Sequence, residues 1–575
     1  MDRIDSGVVS TEDDETLTKF MAYKRREWLS ALLETGNEKV VAAYEKYKKV
    51  NPAKIENPGS LSNIEIWVGS TSPLTVEKLS AMSNVQIAGY LVNFKEPEIV
   101  IRKSDPTEEG LARTLNECIT ATPQRFTDDL KPFQDVKNFY QNWMLHGFLS
   151  AWRDNENLDW TALLRYFGQI LSSERFWAEQ HNVSSNYRQW TLLTMADLIA
   201  SGMEDDKRAI DAQLLPLAEQ ILLILVEKVE PSGFSYVNRS SDILSSDRSK
   251  VFSAMMNYAL RFARNNDIES KGCRWPYSIR VDFTKRLNRS VESSLEFSYT
   301  LGFYLPNLLY LDKEWVVENI DRIFPQRDED HWQAAFSGYL LRPGVHEVLY
   351  PLLKAGGHYL RALNARFADA EVLDGLVNHI CMAWIEDSEV LNDKTSLIFQ
   401  LIHSGNPDLL VGMVYFFARR ADNLSDKVKV KVIPAWRALF GVLSQRSNEV
   451  AYQKILSPLS GWLELIDKID DEILVWVRVS IKYIDKLPGY ALTLSNVIKA
   501  LQQHVLITPK KVGKIYLEIP ESELWFIEQT QRSEVGETIR ILYEKGHKDI
   551  ADDICNRFGE AGANFLGDLY VEFQH

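Results

Sequence analysis

Eight basic side chains crowd residues 261–290: Arg261, Arg264, Lys271, Arg274, Arg280, Lys285, Arg286 and Arg289. Only Asp267, Glu269 and Asp282 oppose them there. Eight cations against three acids leave +5, in a chain of formal net charge −15. Arginine dominates, and its planar guanidinium suits two-point recognition of carboxylate or phosphate. A docking patch built from Arg261, Arg264, Arg274, Arg280, Lys285, Arg286 and Arg289 would take an acidic protein surface or nucleic acid. The competing reading is pairing with surplus acids of neighbouring helices, because surface charge clusters are often merely solvated or internally matched.

Other chemistry finds little support in the residue spacing. A phosphate-cradling loop needs Gly-Lys followed by Ser or Thr. Here Gly513-Lys514 is followed by Ile515. A metalloprotease helix needs a second His one turn after its first, but His346-Glu347 leads to Val348-Leu349-Tyr350. His379 and Cys381 stand two apart and would bind metal only within a larger ligand set. Gly-x-Ser-x-Gly, the nucleophile elbow, does not occur. Carboxylate pairs such as Asp552-Asp553 fall on expected helix surfaces. The sequence thus reads as a non-enzyme with no cofactor or metal. A catalytic carboxylate set gathered from distant helices is the alternative that spacing leaves open.

Composition narrows the class further. The 575 residues exceed the 250–300 or so at which single cores stop growing. The net charge of −15 argues against whole-surface attraction to nucleic acid or anionic lipid. Cys118, Cys273, Cys381 and Cys555 are far apart, which speaks against a disulfide framework and for a reducing compartment. The N-terminus is polar and soon acidic, unlike a signal peptide. The longest apolar run, Leu409 to Ala418, is about half of what a membrane span needs. A cytoplasmic protein with no membrane partner is expected.

The elements that would position any site are helices. Ile210, Leu214, Leu217, Ile221, Ile224 and Leu225 step mostly by three and four, which predicts one apolar helix stripe. At Ser404-Gly405-Asn406-Pro407, Gly405 suits the residue after a helix, Asn406 an N-cap and Pro407 a first helical position. Helices are predicted at 314–322, 328–341, 344–367, 370–385, 392–404, 407–420, 425–447, 449–466, 470–484 and 490–504. Residues 427–432 alternate Lys and Val like a strand, but their surroundings place them in a helix. Trp315, Trp332, Trp384, Trp436, Trp462 and Trp476 read as packing anchors between helices.

Short connections and the lack of a strict repeat predict an all-α chain. Its architecture would be an elongated α-solenoid of degenerate HEAT/TPR-like helix pairs. Residues 51–75, around extended 64–68, and the Ser/Asp-rich stretch 231–247 suggest boundaries. The chain is read as an N-terminal helical segment (1–60), a first helical subdomain (61–230), middle repeats (231–390) and C-terminal repeats (391–575).

A co-linear series of segments points further. Ile66-Trp67-Val68-Gly69-Ser70-Thr71-Ser72-Pro73-Leu74 is followed by Leu79-Ser80-Ala81-Met82-Ser83. Pro123-Gln124-Arg125-Phe126 and Gly302-Phe303-Tyr304-Leu305-Pro306 come next. Ile323-Phe324-Pro325, Trp332-Gln333-Ala334-Ala335-Phe336 and Leu349-Tyr350-Pro351-Leu352-Leu353 close the series. Their order resembles the C-terminal helical sensor region of large bacterial STAND NTPases of the antiviral, Avs-like type, and of related effector-fused defence proteins. The resemblance covers nearly the whole chain after about residue 20. It departs at Ser246-Asp247-Arg248-Ser249-Lys250, where the pattern has Gly after the Arg. The resemblance implies recognition of a phage protein by shape, with NTPase and effector domains responding; this chain is then either a separate subunit that signals to an effector in trans or an excised sensor portion. It implies no short functional motif to carry over. A nucleic-acid-binding helical repeat and a cryptic metal-dependent nuclease are the competing functions.

Overall fold

A computed structural model describes residues 15–55, 71–96, 106–179, 186–231, 243, 245–266, 274–420, 425–486 and 491–574. Among them the regular elements are all helices, and one isolated bridge pairs Thr71 with Pro106. The all-α expectation is met. The extended segment at 64–68, most of the 231–247 stretch, and Asp267, Glu269, Lys271 and Cys273 lie outside the described residues.

Local signals set the helix ends. Gly405 adopts φ +69°, Asn406 caps the next helix by accepting from the Asp408 N–H, and Pro407 opens Pro407–Ala418. The Lys/Val alternation lies inside the helix Asp426–Gln445, where Val428 and Val432 are buried four residues apart. The helix predicted at 344–367 is instead two, Leu349–Ala355 and His358–Asn364. Gly356-Gly357 breaks it, with Gly357 at φ +76°. The stripe predicted from Ile210 also needs correction. The helix is Leu215–Lys228; Ile210 is buried ahead of it and Ile224 faces solvent.

The described residues group into two units, Met1–Thr75 with Phe94–Thr114, and Val76–Asn93 with Leu115–His575. In the first, Glu15–Ser30 packs on Glu38–Val50. Arg26 ties the pair down by donating to the backbone carbonyls of Asn51 and Ala53. Gly110 presses so closely on Thr71 that a side chain there would meet its carbonyl.

The second unit is an α-solenoid of two rows. In the first row each helix packs on the next: Asn138–Arg153, Tyr187–Glu204, Asp247–Asn265, Leu295–Phe303, Glu329–Leu340, Ala370–Ile385, Pro407–Ala418 and Val450–Leu459. Ala491–His504 and Arg532–Glu544 continue it beyond short 3-10 turns. The second row includes Trp160–Ser172, Leu215–Lys228, Tyr277–Arg286, Lys313–Ile323, Asp426–Gln445, Asp471–Ser480, Pro509–Tyr516 and Lys548–Glu560. Packing crosses the boundaries expected at 231 and 391: Leu215–Lys228 contacts Asp247–Asn265, and Ala370–Ile385 contacts Leu397–Ile402.

Three features hold this unit. Trp315, Trp332, Trp436 and Trp462 are fully buried between helices, as expected of anchors. Ion pairs join neighbouring repeats at sequence separations of 32 to 45 residues: Arg361 with Glu329, Arg437 with Glu472, Lys427 with Glu386 and Arg419 with Asp374. Finally, glycines line the first row. Gly147 meets Ile119, Gly302 and Gly338 meet each other's helices, and Gly375 meets the Leu340 carbonyl. Without a Cβ, backbones approach more closely than the usual 8–10 Å or so between axes.

Candidate interaction face

The seven basic residues of the expected patch do not share one open surface. Arg261 and Arg264 both reach Asp206, at 2.5 and 3.0 Å. Those bonds, Arg264 first, hold the Asp206 carboxyl below its ordinary range. Arg280 donates to Asp312 at 2.8 Å. Arg274 donates to the Tyr310 carbonyl and lies over its ring. Arg289 is largely sequestered and donates to the Arg322 carbonyl; burial lowers its pKa.

Arg286 is the centre of a buried network. Its guanidinium meets Asp282 at 2.7 Å, Glu227 at 2.6 Å and Glu292 at 3.2 Å. Glu292 also takes the Arg248 guanidinium, whose Nη1 donates to the Val226 and Val229 carbonyls at 2.6 Å. Burial pushes the Glu292 carboxyl up, but Arg248 and Arg286 more than offset this and hold it below the ordinary range. This network joins Leu215–Lys228, Asp247–Asn265 and Tyr277–Arg286 to the loop carrying Glu292. Of the seven, Arg264, Arg274 and Lys285 are exposed, and Arg264 is paired with Asp206. Internal pairing thus accounts for most of the cluster. The reason is topological: acids from residues 206, 227, 292 and 312 fold back onto it, and a local charge count cannot see them.

A different surface gathers recognition chemistry. The first-row helices each bury most of their circumference and leave one stripe outward. On Asn138–Arg153 it carries Phe139, Trp143, His146 and Arg153; on Tyr187–Glu204 it carries Tyr187, Trp190 and Asp197. Phe139 meets Tyr187 edge-on at 4.7 Å between centroids, and Tyr187 meets Trp190 likewise at 4.8 Å. Trp190 is 39% exposed at the end of this aromatic chain. About two turns further along the same helix, Asp197 pairs with Lys250 at 3.1 Å. His146 contacts Thr194, which also accepts from Asn142. Loss of hydration lowers the His146 pKa, and Asp197 opposes that shift. Further along, burial raises the Tyr304 hydroxyl pKa against a hydrogen bond with Ser253, with Arg342 and Glu204 nearby.

These side chains were not singled out from the sequence. Their apolar members sit in ordinary helical periodicity, and only the stacking order shows that they share a face. What the arrangement offers is contact chemistry: rigid aromatic surface, a lysine, an arginine and a carboxylate. Among the described residues no three His, Cys, Asp or Glu side chains are grouped to hold a metal ion. His379 donates to the Arg342 carbonyl and contacts Tyr359 instead of joining Cys381 in a ligand set. A shallow cavity of about 460 Å³ near the C-terminal helices is bordered by Cys555, Asn556, Glu560, Asn564 and Tyr570. Burial raises the Cys555 thiol, so it is not an activated nucleophile. Among the described residues, no helix is long and apolar enough to cross a membrane.

No family model matches the chain, and no curated protein matches it. Among solved structures, a circular tandem repeat protein with novel repeat topology and enhanced subunit contact surfaces aligns over 98% of this chain and 99% of its own. The identity is 13% and the TM-score 0.20, so the fold assignment stands on the helix packing described above.

Proposed function

We propose that this chain is a non-catalytic recognition and scaffold protein of bacterial antiphage defence, cytoplasmic, which binds a phage or effector protein and signals to an effector in trans. The defence setting rests on the segment order that resembles the STAND sensor region. The binding role rests on one observation above others: the Phe139–Tyr187–Trp190 aromatic chain on the outward stripe of the first row, flanked by the Lys250–Asp197 pair. Aromatic and arginine side chains carry most of the energy at protein interfaces. Repeat stacks offer such groups at fixed spacing over a broad surface. A partner covering several helices would bury roughly 1,200–2,000 Å².

The test is co-purification from phage-infected cells with the wild-type chain and with Trp190→Ala. The proposal expects one protein to be retained by the wild type, lost by the variant, and rebound when both are purified. Recovery of nucleic acid alone, or equal retention by both chains, rejects this face. The nucleic-acid alternative loses support from the internal pairing of Arg261, Arg264, Arg280 and Arg286.

A further inference from the structure

We propose that the chain pairs with a second copy of itself through the outward face of the second row. In the pair, the helix Tyr277–Arg286 of each copy lies on the helix Lys313–Ile323 of the other. This inference is independent of the recognition role.

The two helices run side by side in register. Arg280 bonds Asp312 at 2.8 Å, and the Trp315 indole N–H donates to Thr284 at 2.8 Å, so both helices point the same way. On the inner side Leu215–Lys228 is in step as well, through Ser278 with Glu219 and Arg286 with Glu227. The register brings outward residues together. Tyr277 is 79% exposed, Val281 45% and Val317 46%. Tyr277 and Val281 are one turn apart on one helix, and Val317 lies on its neighbour.

Charge selects the occupant. Arg274 and Lys285 lie at the surface at the two ends of the Tyr277–Val281 stripe. Glu314, Glu318 and Asp321 are exposed along the Val317 helix. They outnumber Lys313 there, and Arg322 turns back to Asn319 and Thr284 of its own chain. One helix is therefore basic around its apolar stripe and the next is acidic. A two-fold axis along the seam between two such helices places each on its complement. Val281 of one copy then lies about one helical turn from Val317 of the other, and Lys285 meets the Glu314–Glu318 edge. In a chain of net charge −15, most faces repel a second copy; this one is locally balanced. The weak Lys285–Glu227 contact, 3.6 Å at the surface, is readily exchanged.

Sedimentation equilibrium and light scattering of the full chain test this. Wild type is expected to reach twice the chain mass with rising concentration. Lys285→Glu and Glu318→Lys should each weaken association by about tenfold or more, with unchanged melting temperature. An equimolar mixture of the two should associate more tightly than either alone, because the reversed charges meet. Val281→Glu should be monomeric. A wild type that stays monomeric up to about 100 µM, a scale at which a specific dimer would form, overturns the proposal. So does association that Val281→Glu leaves intact, or a mixture no tighter than the single variants.

Discussion

Gly302 and Gly338 face each other across the first row: a methyl on Gly302 would lie 1.7 Å from the Ala335 carbonyl oxygen, and one on Gly338 2.2 Å from that of Tyr299. Neither oxygen can swing aside, since both belong to helix backbones. The two helices touch through their main chains, and every later pair is stacked on that contact.

Gly302→Ala and Gly338→Ala should therefore each cost about 3 kcal/mol or more, as overpacking against backbone does. Gly441→Ala is the control. Gly441 sits in a helix with nothing within 4 Å of an added methyl. There alanine should stabilise by up to about 1 kcal/mol. Urea unfolding of the three variants reads the difference. Equal behaviour at Gly302 and Gly441 would refute the close approach.

Adjacent basic residues should behave oppositely. The Arg286 side chain is 3% exposed and Lys285 56%. Arg286→Ala leaves Glu292, Asp282 and Glu227 short of a partner and should cost about 3–5 kcal/mol. Lys285→Ala should change stability by less than about 0.5 kcal/mol. Reversing Arg286 is thus a folding experiment, and binding losses in that variant would say nothing about docking. Thermal melts of both alanine variants decide the matter.

Helix class and punctuation were legible because they depend on neighbours in sequence. Gly405, Asn406 and Pro407 did what their chemistry requires. The site was not legible, because it depends on neighbours in space. Arg280 pairs across 32 residues and Arg264 across 58, so a local tally mistakes internal ion pairs for an open patch. Trp190 looks in sequence like any helical aromatic. Its exposure follows from which helices stack beside it.

Acid should loosen the middle of the stack. His358 is buried, and its Nδ1 accepts the Trp332 indole N–H at 3.1 Å, which requires the neutral ring. Burial first, and Arg361 second, depress its pKa from 6.5 to about 4. The unfolded chain therefore takes a proton that the folded chain refuses as pH falls from 6.5 toward 4. The folded state loses up to about 3 kcal/mol over that window and keeps its full stability above it. His379 and His331 are shifted the same way and add to the slope. Denaturation midpoints at about pH 7 and about pH 4.5 should differ less in His358→Gln, whose amide oxygen can still accept the indole N–H without titrating. An unchanged slope would place the acid sensitivity elsewhere.

Recognition should depend on the first-row stripe in a graded way. Trp190 presents its exposed part at the end of an edge-to-face chain that fixes its ring, so little side-chain freedom remains to be lost on binding. Trp190→Ala should weaken a bound protein partner by about 2 kcal/mol or more, and Lys250→Glu by a similar amount with a stronger salt dependence. Trp190→Phe keeps a ring in place and should recover part of the loss. Lys250→Glu also sets a second carboxylate against the half-buried Asp197, so Lys250→Ala is the variant to compare for stability. Titration calorimetry with the purified partner separates the two effects. If Trp190→Ala binds as well as wild type while Lys250→Glu does not, the contact is electrostatic and lies nearer Asp197. If both bind normally, the outward stripe of the first row is not the recognition surface.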